Sequence, residues 1–157
     1  MDHRFSLWPW TRAAPNRRKA YRAGVSDVKP GGLLFQMARI LLIDDEDEVR
    51  NLVRRMLESG PHDVVAAASG EEGIENFKQG TFDLVLCDSR MPGKHGAEVM
   101  QEIRQLSPSV ILVSVSGAAP DDAASARAPA DVRRIAKPFR TRELLSFIDD
   151  CLRPSMR

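Results

Sequence analysis

The chain has 157 residues, two cysteines and a formal net charge of +1, a size that suits one compact domain. No apolar run approaches the roughly 20 residues that cross a bilayer. The stretch from Met1 to Arg12 lacks the apolar core of a secretory signal, and Arg17-Arg18 is followed by Lys19, Arg22 and Asp27, where a twin-arginine signal needs apolar residues. The expectation is a soluble cytoplasmic protein, in which Cys87 and Cys151, with no Cys or His at ligand spacing, build neither a disulfide framework nor a zinc site.

Charge divides the chain. Residues 1–36 hold seven Lys/Arg against two Asp, and the remainder holds sixteen against twenty Asp/Glu, so the two parts carry about +5 and −4 by subtraction. The first part, with Trp8, Pro9, Trp10 and the cluster Arg17, Arg18, Lys19, reads as a basic, disordered extension. A docking segment for nucleic acid or an acidic partner is the alternative, as is translation from Met37. Residues 37–157 read as the folded domain.

From Met37 onward, short runs of Val, Ile and Leu alternate with segments of helical period, the pattern of an α/β fold with a parallel sheet. The first strand, Arg39 to Ile43, is apolar on both faces and ends in acid. Val49, Leu52, Val53, Met56 and Leu57 recur at helical spacing behind it, and Gly60 closes that helix. Asp63 to Ala67 is the second strand, and Ser69 and Glu72 are spaced as a capping box for a helix carrying Ile74 and Phe77.

Phe82 to Cys87 is the third strand. After the Pro92-Gly93 turn, Val99, Met100, Ile103 and Leu106 mark a third helix, and Val110 to Val115 a fourth strand. Residues 120–129, Ala- and Asp-rich with prolines at both ends, predict a short or irregular fourth helix. A fifth strand, Val132 to Ala136, leads to a final helix that starts near Thr141 and buries Leu144, Leu145, Ile148 and Leu152.

The chemistry-bearing residues fall at one end of this scheme. Asp44 and Asp45 follow the first strand, Asp88 the third, Ser116 the fourth and Lys137 the fifth. In open α/β sheets ligands bind at the carboxyl ends of strands, and the order 2-1-3-4-5 makes strands one and three neighbours at the switch point. Two unit charges about 4 Å apart repel by about 4 kcal/mol at an effective dielectric near 20, so three converging carboxylates require counter-charge. Lys137 supplies one, and an oxygen-only cluster suits a hard divalent ion such as Mg²⁺. A metal beside a carboxylate, an ammonium and a hydroxyl suits phosphoryl transfer, with Asp88 as nucleophile, Asp45 on the metal, Asp44 on it directly or through water, and Ser116 and Lys137 on phosphoryl oxygens.

Ile43-Asp44-Asp45-Glu46, Cys87-Asp88-Ser89-Arg90-Met91-Pro92-Gly93, Ser116-Gly117 and Lys137-Pro138-Phe139 together resemble the motifs of response-regulator receiver domains, in order and over residues 37 to about 153. The resemblance implies a flavodoxin-like, doubly wound sheet of five parallel strands with five helices. It also implies phosphorylation of Asp88 by a histidine kinase or phosphotransfer protein, the Arg90 carbonyl as a further Mg²⁺ ligand, Ser116-Gly117 and Lys137 at the phosphoryl group, and a cis peptide before Pro138. Arg134 stands where many receivers carry Tyr, Phe or His as the switch partner of the Ser/Thr, and His95 replaces a common Asp.

The chain stops soon after the final helix, so the expectation is a stand-alone receiver that signals to a downstream protein target through the face of the fourth helix, fifth strand and final helix. Neither direct DNA binding nor membrane contact is expected. The main alternative is a degenerate receiver that binds partners without phosphorylation. An aspartyl-phosphate phosphatase needs an acid at Arg90, and dinucleotide binding needs a Gly-rich turn after the first strand. Asp47 and Glu48 read as helix-starting acids, Cys87 as a small buried apolar residue, and His3, His62 and His95 as exposed.

Overall fold

A computed structural model describes residues 37–117 and 127–153. Five strands, β1 (Arg39–Ile43), β2 (Asp63–Ala67), β3 (Leu84–Asp88), β4 (Ile111–Ser116) and β5 (Arg133–Ala136), form one sheet in the order β2-β1-β3-β4-β5. All neighbours are parallel. The helices are α1 (Asp47–Glu58), α2 (Gly70–Gln79), α3 (Gly96–Leu106) and α4 (Thr141–Leu152). The doubly wound architecture and strand order match expectation. Four helices stand among the described residues instead of five, because most of the segment expected to form the fourth, 120–129, lies outside them, as does the basic extension, residues 1–36.

The central strands are apolar on both faces because both faces are covered. Ile40 and Leu42 join Val53 and Leu57 of α1 and Leu144 and Ile148 of α4 in one core. Leu41 and Ile43, pointing the other way, join Ile74 and Phe77 of α2 and Val99, Met100 and Ile103 of α3 in the second. Alternation at period two thus feeds two cores from one strand. Each fully buried Leu or Ile contributes about 1.5–3 kcal/mol.

Local chemistry sets the ends of the elements. In α1, Asp47 and Glu48 occupy the first turn and Arg55 the last, complementing the helix dipole, and Arg54 pairs with Glu58 at 2.8 Å. Ser69 caps α2 by accepting from the Glu72 amide at 3.1 Å. Glu72 reaches back to the amide of Ala68 at 2.7 Å, one residue before the usual capping-box partner.

Several expectations need correction. β3 starts at Leu84, because Phe82 turns out of the ladder to stack on Phe77 at 5.8 Å and to lie beneath the Arg39 guanidinium at 5.2 Å. β4 starts at Ile111 and β5 at Arg133, each one residue late; the Val132 amide turns back to the Pro129 carbonyl instead of joining the sheet. Leu52 is 53% exposed although its spacing suits the apolar face, since α1 buries only the stripe of Val53 and Leu57. Leu106, at the end of α3, is also exposed, and Leu152 is only partly buried. His62 is not exposed but 7% accessible, while His95 is exposed as expected and His3 lies outside the described residues.

Candidate functional site: an acidic cup at the carboxyl edge of the sheet

Sheet register brings the site together. Ile43 pairs with Cys87, so Asp44 and Asp88 leave adjacent strands side by side. Asp88 pairs with Val115, next to Ser116, and Ser116 pairs with Ala136, next to Lys137. The Lys137 amide donates to the Ser116 carbonyl at 2.7 Å, locking the ends of β4 and β5 together. Four residues far apart in sequence therefore stand in a row along one edge.

Asp44 is 2% and Asp88 6% accessible. Lys137 lies between them, with Nζ at 3.3 Å from Asp44 Oδ2 and 3.5 Å from Asp88 Oδ2. The other oxygens accept from backbone: Asp44 Oδ1 from the Glu46 amide at 2.9 Å, and Asp88 Oδ1 from the Arg90 amide at 3.3 Å. Arg50 holds the loop from behind, its Nη1 donating to the Asp44 carbonyl at 2.8 Å.

Burial pushes the Asp88 carboxyl above its ordinary value; Lys137 and the Arg90 amide oppose that rise, and Asp44 adds to it. A carboxylate denied water and carrying neighbouring negative charge is the more basic and the better nucleophile. Burial works against the Lys137 charge, but the attraction of Asp88 and Asp44 outweighs it and raises its pKa. Lys137 is accordingly a fixed cation at neutral pH. Cys87, wholly buried between the two acids, has its thiol driven far upward by burial first and by Asp88 and Asp44 next, and is chemically inert there.

One carboxylate oxygen from each of Asp44, Glu46 and Asp88 falls within 4.8 Å of the other two, an arrangement that can hold a metal ion. Oxygen donors alone suit Mg²⁺, which tolerates few protein ligands and keeps its waters. Glu46 was given no role by the sequence, because an acid before a helix already has an electrostatic reason to be there. Asp45, expected on the metal, is not in this group of three. It is half-buried, and its Oδ1 is sealed from solvent with no hydrogen-bond partner, a lone-pair donor that calls for a cation.

The remaining predicted residues surround the cup. Ser116 is half-buried, and a Cβ placed on Gly117 meets nothing within 4 Å, which leaves open space above the edge. Arg90 and His95 are exposed and with Met91 and Pro92 line a cleft of about 410 Å³. Gly93 has φ +78°, the left-handed turn expected after Pro92. Arg134 is exposed on β5 opposite Ser114. The Lys137-Pro138 peptide is cis, as the resemblance implied. Among the described residues no helix is long and apolar enough to cross a membrane.

Comparison with known proteins agrees with this geometry. The regulatory protein VanRB of Enterococcus faecalis is 36% identical over 120 residues, 74% of this chain and 53% of that protein. The sensor kinase CckA of Brucella abortus is 35% identical over 119 residues, 73% of this chain but only 12% of the kinase. The chain thus spans about half, or much less, of the curated relatives it matches. Among solved structures, the response regulator TrrA of Thermotoga maritima, in complex with Mg²⁺-BeF, is 32% identical, with a TM-score of 0.63 over 73% of this chain and 98% of that one. The family model for the response regulator receiver domain matches residues 40–149, and with the strand order and the acidic cup in place, this chain belongs to the response-regulator receiver family.

Proposed function

We propose that Asp88 is the phosphoryl acceptor of a Mg²⁺-dependent switch, charged by a histidine kinase or a histidine phosphotransfer protein. The observation that carries this reading is the Asp44–Lys137–Asp88 bridge: one half-buried ammonium holds two buried carboxylates at the carboxyl edge of the sheet. Asp44, Asp45 and Asp88 with the Arg90 carbonyl are the proposed metal ligands, supported for Asp45 by its unpartnered oxygen. Glu46 joins them from the rim. Bound Mg²⁺ supplies the positive charge that offsets the phosphoryl oxygens.

The chain's own residues do the rest. Asp88 attacks phosphorus with the oxygen not tied to the backbone amide while the P–N bond to the donor histidine breaks and its imidazole departs; Lys137 accompanies the developing charge, and the Ser116 hydroxyl and Gly117 amide donate to phosphoryl oxygens. Ser116 and Lys137, drawn toward the modified Asp88, shift the equilibrium of the β5–α4 face toward a form read by a downstream protein target. The domain of about residues 37–157, behind the basic extension 1–36, acts as a cytoplasmic phosphoacceptor that catalyses only its own phosphorylation and dephosphorylation.

Acetyl phosphate with Mg²⁺ tests this directly. Intact mass spectrometry should show the gain of one phosphoryl group, abolished by EDTA and by Asp88→Asn. A chain that stays unmodified supports a phosphorylation-independent binding module instead, and labelling that survives Asp88→Asn puts the acceptor at another residue.

A further inference from the structure

His62 lies far from the acidic cup, in the connection between α1 and β2, yet it is 7% accessible and neither ring nitrogen has a hydrogen-bond partner. Such a histidine is unusual, because a neutral imidazole carries one donor and one acceptor and buried polar groups are nearly always paired. Its surroundings come from the last helix. A Cβ placed on Gly60 would lie 2.9 Å from Leu145 Cδ2 and 3.4 Å from His62 Cδ2, so the imidazole and α4 meet over that glycine.

One turn further along the same face of α4, Asp149 is 2% accessible and hydrogen-bonded to Arg153 at 2.8 Å. On the His62 side, Asp149 is the charged group among the described residues that acts on the imidazole. Nearby Asp63 faces outward to Arg39 at 3.4 Å, Glu58 is committed to Arg54, and Asp150 faces outward to Arg153 at 3.4 Å.

We propose that His62 and Asp149 form a proton-sensitive latch on α4, closed while the imidazole is neutral and loosened when it takes a proton. The seam is apolar enough to accept an unpartnered neutral ring but not a bare imidazolium. Protonated His62 has two exits: into water, which lifts the loop away from Leu145, or toward Asp149, whose Oδ2 already accepts from Arg153. Either exit re-seats the C-terminal half of α4. Burial outweighs the attraction of Asp149, which lowers the affinity of the imidazole for a proton and fixes the sign: acid opens the seam. Proton concentration thereby becomes an input to α4 separate from the chemistry at Asp88.

The test is a proton NMR titration of the full chain, which has three histidines, His3, His62 and His95. His62 is expected to titrate below the ordinary histidine value of about 6.5, with amide shifts of residues 144–152 following the same midpoint. Asp149→Asn should move that midpoint lower still, and His62→Leu should abolish the α4 shifts. Titration of His62 at or above the ordinary histidine value overturns the latch, as do α4 shifts that persist in His62→Leu or a midpoint indifferent to Asp149→Asn. The wild-type titration alone decides the matter if either variant fails to fold.

Discussion

The backbone of Gly96 presses on the carbonyl of Asp88: a Cβ at Gly96 would overlap that oxygen and come within 3.0 Å of Ser89 Cα. The obstacle is backbone and not the tip of a side chain, so nothing can swing aside. Gly96→Ala must therefore push β3 and α3 apart at the residue that bears the phosphoryl acceptor. The expected cost is about 1–3 kcal/mol in overpacking, read as a lower urea midpoint, together with slower labelling by acetyl phosphate. Wild-type stability and labelling rate in this variant would show that the contact is slack.

Removing Lys137 should do two opposite things. Lys137→Ala leaves Asp44 and Asp88 without their shared ammonium, and the variant should lose about 1–3 kcal/mol of stability in metal-free buffer. The same change vacates the oxygens the ammonium held at 3.3 and 3.5 Å. Mg²⁺ added to the variant should therefore raise the urea midpoint more than it does in the wild type, since binding to the native state alone is stabilising. Equal gains in the two proteins would mean that the lysine and the ion do not share the cup.

Arg104 is a clamp at the opposite edge of the sheet. Its Nη1 donates to the carbonyls of Ser107, Pro108 and Val110 at 3.2, 2.9 and 2.8 Å, and its Nη2 to Asp131 at 2.6 Å, joining the end of α3 to the entries of β4 and β5. Arg104→Ala should cost about 1–3 kcal/mol, because hydrogen bonds from a charged donor to several carbonyls of the α3–β4 connection are lost together. Asp131→Asn should cost less than about 1 kcal/mol, as its carboxylate is 63% exposed. A larger loss from Asp131→Asn than from Arg104→Ala in urea unfolding would reverse this ranking.

Much of this was legible in the chain because the physics was local or joint. The runs at Ile40–Ile43 and Leu84–Cys87 are apolar throughout, and only a strand buried on both faces needs that. Asp44, Asp88, Ser116 and Lys137 were individually weak signals, but their common position at strand ends made them one. What escaped depends on partners distant in sequence. His62, after Gly60 and Pro61, reads as a loop residue until α4 is seen to cover it. Phe82 extends an apolar run and leaves it only because Phe77 and Arg39 sandwich it. Leu52 obeys the helical period, but period does not say how wide a stripe the neighbours bury.

His62 also makes stability depend on pH in a window free of most other groups. Burial lowers its folded-state pKa from the ordinary value, against the weaker pull of Asp149. Above the unfolded value of about 6.5 the imidazole is neutral in both states and contributes no pH dependence. As pH falls below that value, the unfolded chain binds a proton that the folded chain refuses, so stability declines until the lower folded pKa is passed and then levels off. Urea midpoints measured from pH 7.5 down to 5.5 should therefore fall more steeply in the wild type than in His62→Leu. Asp88, whose carboxyl is also pushed up by burial, is present in both proteins, so the difference between the two curves isolates His62. A wild-type midpoint that rises with acid would mean that Asp149 captures the protonated ring inside the fold, and that pairing outweighs burial at this seam.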